Sequence, residues 1–212
     1  MGRRRGGRSR SALLTDAYLA FVIFGAVGMG TWRLDQFLRL TLMWLTLLAL
    51  TLVYGSGRRI QVTYGFSDLG RGVVAGLLIS LPVVVLARDF LYATSQRLFP
   101  MNAPLTLSWG LVLIMPVIEA LYFRGFLQRE KGLLPAVLLY AATAALYVLP
   151  STVGEHLPVL AAFVVAMGVL GFVYAYLYSM YGFAASLACQ AAVHLVLFIV
   201  PLLPSELGWL PT

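Results

Sequence analysis

The feature that most constrains this chain is its succession of long apolar runs, separated by short stretches of charge, glycine or proline. A bilayer core about 30 Å thick is crossed by about 20 apolar residues in helical form. Only helices and closed barrels satisfy their backbone polar groups in that environment. Seven runs approach the required length: Ala12–Gly30, Phe37–Tyr54, Gly72–Tyr92, Leu105–Phe123, Leu133–Leu149, Leu157–Tyr178 and Phe183–Leu203. The expected fold is therefore all-α, a polytopic membrane helix bundle of about seven transmembrane helices. Composition agrees, at 61% hydrophobic and 11% charged residues, where a soluble domain is about half apolar and a quarter charged.

Lys and Arg in short loops set the orientation of such a bundle. The chain opens with Arg3, Arg4, Arg5, Arg8 and Arg10. Placing that end in the cytoplasm also makes Arg58, Arg59, Arg71, Arg124, Arg129 and Lys131 cytoplasmic, so that eleven of the 15 basic residues lie on one side. Arg33, Arg39, Arg88 and Arg97 then fall outside. This divides the chain into a basic cytoplasmic tail (1–11), N-terminal transmembrane helices (12–104), a transmembrane core (105–203) and a short C-terminal tail (204–212). The first apolar run reads as a retained helix, because no small-x-small cleavage site follows it. The expected location is the cell membrane, with the N-terminus cytoplasmic.

The net charge of +7 does not point to nucleic acid, since no soluble basic domain carries it. The expected contact of the tail is with anionic lipid headgroups. The single cysteine, Cys189, lies in an apolar run, which excludes an internal disulfide and a zinc ribbon. It reads as a small buried hydrophobe.

Ionisable groups inside spans are costly, at about 2.5–3.5 kcal/mol each on insertion scales, so each needs a reason. Glu119, Arg124 and His194 qualify. Glu119 lies in Met115-Pro-Val-Ile-Glu-Ala-Leu-Tyr-Phe-Arg-Gly-Phe-Leu-Gln128. On an α-helix Arg124 is rotated about 140° from it, so no direct pairing is required. Pro116 frees a carbonyl one turn earlier and opens the helix locally. In the seventh run His194 has Gln190 one turn before it, placed to fix its tautomer. A carboxylate and an imidazole on different helices can act as general base and oxyanion stabiliser. A hydrogen-bonded interior pair is the plainer alternative.

These residues carry a resemblance. Glu119-Ala-Leu-Tyr-Phe-Arg-Gly125 resembles the Glu-Glu-x-x-x-Arg motif of the CPBP family, the CAAX-protease and bacteriocin-processing membrane proteins. Phe126-Leu-Gln-Arg129 and Gly171-Phe-Val-Tyr-Ala-Tyr-Leu-Tyr178 are similar to the same family. Gly182 to His194 resembles its helix carrying His-x-x-x-Asn. The likeness runs from about Leu105 to Pro201. It implies an intramembrane glutamic-type endopeptidase acting on membrane-linked or prenylated peptide tails. Glu119 would be the water-activating base, Arg124 the motif arginine and His194 the third-motif histidine. No cofactor or metal is implied.

The departures are specific. Ala120 stands where the second Glu belongs, and Phe198 where the Asn belongs. The second motif, Phe-x-x-x-His, has Pro150 or Ser151 at its histidine, with His156 and Glu155 beyond a turn. Losing one oxyanion donor typically costs about 100- to 1,000-fold in rate. Two readings therefore stand: a weakened intramembrane peptidase, or a non-catalytic scaffold, chaperone or immunity-type relative that keeps the fold. The peptidase requires Glu119 and His194 at one wet cavity. The scaffold requires Glu119 tied up, by Arg124 or a tyrosine hydroxyl. A third, a small proton-relaying transporter, finds no matching pair of interrupted helices.

Overall fold

The computed structural model describes residues 16–55, 65–98, 110–151 and 154–200. The basic tail, Arg58, Arg59, the start of the fourth apolar run and the C-terminal tail lie outside them. All regular structure among the described residues is helical, in seven segments. They are α1 (Ala17–Gly30), α2 (Gln36–Gly55), α3 (Phe66–Leu98), α4 (110–131), α5 (Leu133–Val148), α6 (Leu157–Tyr181) and α7 (Phe183–Ile199). The stretches Gln36–Val53, Phe66–Ala87 and Leu157–Tyr181 are long and apolar enough to cross a membrane, by length and composition. Between 17% and 33% of each is buried. Their outward faces carry side chains such as Leu52, Leu78, Val85 and Val165, an arrangement suited to hydrocarbon surroundings rather than water.

The threonine hydroxyls of α2 are satisfied locally. Thr41, Thr46 and Thr51 on α2 each donate to the carbonyl one turn back, at 2.7–2.8 Å. This is the usual way a hydroxyl is housed in a helix without a polar neighbour.

Small residues set the closest helix approach. Gly72, Gly76 and the buried Ser80 fall at four-residue intervals on one face of α3, and the two glycines lie against Ala185, Cys189 and Ala192 of α7. A Cβ on Gly72 would lie 2.2 Å from the Ala185 carbonyl oxygen, and one on Gly76 would lie 2.7 Å from that of Cys189. The backbones therefore touch, as small-xxx-small faces allow. The numbering rises together, so α3 and α7 run parallel. α5 and α6 form an antiparallel pair, with Gly171 admitting the Tyr140 ring. Gly132 (φ 93°) and Gly182 (φ 86°) are single-residue joints between helices. Each adopts a backbone conformation that only glycine takes without strain.

Arg39, which the charge count assigns to the outer side near the start of the second apolar run, is 1% exposed. Its guanidinium donates to the carbonyls of Gly28, Leu146 and Tyr147. These are orphan carbonyls in the last turns of α1 and α5, so one cation ties two helix C-termini together. At the opposite end, Asp16 caps α1 through the Tyr18 N–H at 2.8 Å and pairs with Lys131 at 2.9 Å. The Tyr122 hydroxyl donates to the Ala17 carbonyl at 2.8 Å. The end of α4 is thereby pinned to the start of α1.

Candidate functional site

The local backbone of α4 decides where its polar side chains point. The helix begins with a π segment, Gly110–Ile114, continues as α at Met115–Glu119, and returns to π over Ala120–Gln128. Pro116 follows the first π segment, where a wider turn relieves the clash of its ring with the carbonyl four residues earlier. In the second π segment hydrogen bonds close at i→i+5, so a residue five places on returns nearly to the starting face. The sequence expectation of a 140° offset between Glu119 and Arg124 assumed regular α geometry. The π segment brings both onto the bundle side, and Gln128 continues the row.

The three polar residues are buried: Glu119 is 0%, Arg124 2% and Gln128 8% exposed. Gln190 of α7 inserts between Glu119 and Arg124. Its Nε2 donates to Glu119 Oε2 at 2.6 Å and to the Tyr140 hydroxyl at 3.3 Å. Its Oε1 accepts from Arg124 Nη2 at 2.6 Å. Both amide protons and the carbonyl are used. The amide orientation is fixed by charge, since a flipped amide would set its oxygen against the carboxylate and its protons against the guanidinium. Rings complete the enclosure. The Arg124 guanidinium lies 5.3 Å from the Tyr140 ring and 5.0 Å from the Tyr174 ring, within cation–π range. Gln128 Nε2 donates to the Ala175 carbonyl at 2.9 Å and to Ser179 Oγ at 3.0 Å, tying α4 to α6.

Glu119 and Arg124 are thus brought together through Gln190, and His194 lies one turn further along α7. Gln190, expected to orient His194, holds the carboxylate instead. Tyr140 and Tyr147 of α5 both bear on Glu119. They are the residues sequence reasoning missed, because nothing local marks a tyrosine that reaches a carboxylate on another helix. Tyr147 lies beside both Glu119 and Trp44, but among the described residues Glu119 Oε1, Tyr147 Oη and Trp44 Nε1 reach no protein hydrogen bond of full geometry.

His194 is 1% exposed and packs edge-on against Phe198, with ring centroids 5.6 Å apart. Phe198 therefore fills the position of the expected asparagine with an aromatic contact. Two cavities border this pair. One of about 40 Å³ is walled by Trp44, Tyr147, Met167, His194 and Phe198. The other, about 300 Å³, lies between α3, α6 and α7 and shares Phe163, Met167, His194 and Phe198 with the first. Glu119 lines neither. Ser151 Oγ donates to the Val148 carbonyl at 2.7 Å, and His156 is exposed just before α6. Neither Ser151 nor His156 lines the two cavities. Ala120 is buried against the bundle. Among the described residues no three His, Cys, Asp or Glu side chains cluster as metal ligands.

No family model, curated protein or solved structure matches the chain.

Proposed function

We propose that the chain is an integral membrane protein of the CPBP type that keeps the helix bundle and has exchanged the hydrolase for a sealed polar lock, acting as a membrane scaffold or chaperone. Its N-terminus faces the cytoplasm, on the strength of the eleven basic residues on that side. One observation carries the reading. The carboxylate that a glutamic peptidase would use on water is fully buried and bonded to Gln190, which Arg124 holds from the other side. A general base must reach the proton it abstracts directly or through one water. Glu119 lines neither of the two cavities that border His194, one of about 40 Å³ and one of about 300 Å³, so a peptide has no seat beside the acid.

A specific observation favours the peptidase as the competing reading. Tyr147 bears on Glu119 and also lines the cavity that His194 borders, so one side chain is shared by the surroundings of the acid and of the imidazole. Cleavage in proteoliposomes separates the two. The full chain, Glu119→Gln and His194→Ala are each offered a membrane-linked peptide with a prenylated C-terminus. The lock requires all three at the protein-free background. Cleavage by the parent that falls about 100-fold or more in Glu119→Gln, the usual scale for loss of a general base, would establish the hydrolase and remove the scaffold.

A further inference from the structure

The 300 Å³ cavity has a shape and a setting of its own. α3 and α6 each pack on α7 and leave a cleft between them. α3 departs from helical geometry at Ala87 (φ −128°, ψ 29°), five residues after Pro82. Val83, Ala87 and Leu91 face the cleft at this bend. Across it stand Ala162, Ala166 and Leu170 of α6, two of them with the smallest side chain short of glycine. The bend and the two alanines together make the space. Apart from His194, the lining has no polar side chain. An engineered apolar cavity half this size, about 150 Å³, stays dry and takes up benzene.

The mouth identifies what can enter. Val83 lines the cavity and is also 40% exposed, so the cavity opens on the outer surface of the bundle. On the three helices that form the cleft Leu81, Val85, Leu86, Val165, Val169 and Leu195 are exposed. An entrance between such helices faces lipid tails in the proposed membrane setting. We propose that this cavity binds one acyl chain of a bilayer phospholipid, entering sideways between α3 and α6 from the leaflet where α6 begins, with its end against His194 and Phe198. The proposal rests on the bundle being membrane-embedded, but not on whether Glu119 is catalytic.

The test is photolabelling of the full chain in phosphatidylcholine vesicles whose lipid carries a mid-chain diazirine, read by residue-level mass spectrometry. Two groups of residues are compared: the half-buried Phe163, Leu170 and Leu197 in the cavity, and Val165 and Val169 on the outer face of α6. Both groups are expected to label in the parent. In Ala166→Phe, which fills the cleft, cavity labelling is lost and outer labelling stays. Ala162→Phe serves the same purpose if the first variant does not yield a monodisperse protein. Labelling of Val165 and Val169 without the cavity residues, or cavity labelling unchanged by either variant, overturns the proposal and leaves the membrane setting intact. Absence of label on both groups overturns the membrane setting, and the proposal with it.

Discussion

Replacing Gln190 by methionine keeps the side chain's length and apolar packing while deleting the amide. Three hydrogen bonds go: one to the Glu119 carboxylate, one from the Arg124 guanidinium, both at 2.6 Å, and a longer one to Tyr140 at 3.3 Å. A bond to a charged group contributes about 1.5–3 kcal/mol, and a neutral one about 1. The sum for the amide is roughly 4–7 kcal/mol. Hydrogen bonds between membrane helices average only about 0.6 kcal/mol, with a maximum near 1.7, because the unfolded chain in lipid finds other partners. Neutral pairs dominate that experience. Here a buried charge is stranded on each side of the deletion, which typically costs about 3–5 kcal/mol. The expected loss is therefore at least about 3 kcal/mol, or about 6–12 °C in Tm for a chain of this size. Thermal unfolding in mild detergent measures it, and a cycle with Glu119→Gln apportions it. The cycle should show the two changes coupled by more than about 1 kcal/mol, since they share one bond. A Gln190→Met protein within about 1 kcal/mol of the parent, or strict additivity with Glu119→Gln, would refute the lock.

Further predictions concern the frame around it. Arg39→Met removes the donors that tie α1 to α5 and strands the Leu146 carbonyl, and should lower stability by at least about 2 kcal/mol, with Arg39→Lys recovering part of it, both read by thermal melts. Gly72→Val drives a Cβ onto the Ala185 carbonyl and should cost about 1–3 kcal/mol through overpacking, whereas Gly70→Ala, with nothing within 4 Å, should be neutral or stabilising by up to about 1 kcal/mol. The Asp16–Lys131 pair lies at the bundle end, before α1 and after the polar row of α4. The Lys131 hydrogen bond holds the Asp16 carboxyl below its usual value, and the same bond holds the Lys131 ammonium above its own. A depressed carboxyl stabilises above its unfolded pKa and loses that contribution as pH falls through the folded one. A raised ammonium stabilises below its unfolded pKa and loses it as pH rises through the folded one. The melting difference between parent and Asp16→Asn should therefore be flat from about pH 5 to 9 and shrink below about pH 4. Because both groups are partly exposed, it should also shrink with salt.

The helices were legible because their signal is a long apolar run bounded by charge, glycine or proline. Each described segment lies on one of the seven expected runs, and three of them have spanning length on their own. Boundaries moved where local chemistry decides them. Asp16 starts α1 later than the apolar run does, because its carboxylate caps the helix. α4 runs on past Phe123 to Lys131. Glu119, Arg124 and His194 were legible as costly groups needing partners, but their partners were not. Arg124 reaches the Glu119 side only because α4 switches to π geometry, which no residue pattern in 119–128 announces. Gln190 sits one turn from His194 in sequence, yet its partners come from α4 and α5 at separations of 71, 66 and 50 residues. Arg39 stands three residues into α2 and reads in the sequence only as an outer-side charge. Only the meeting of two helix C-termini makes that position an interior one.

The central claim is that the Glu119 carboxylate is closed off from water. A water-soluble carbodiimide with an amine nucleophile, applied to the folded protein in liposomes or nanodiscs and mapped by peptide mass, reads this directly. Glu119 should remain unmodified while Asp16 and Glu155 react, and it should become reactive in Gln190→Met. Modification of Glu119 in the parent at the rate of the exposed carboxylates would contradict the account.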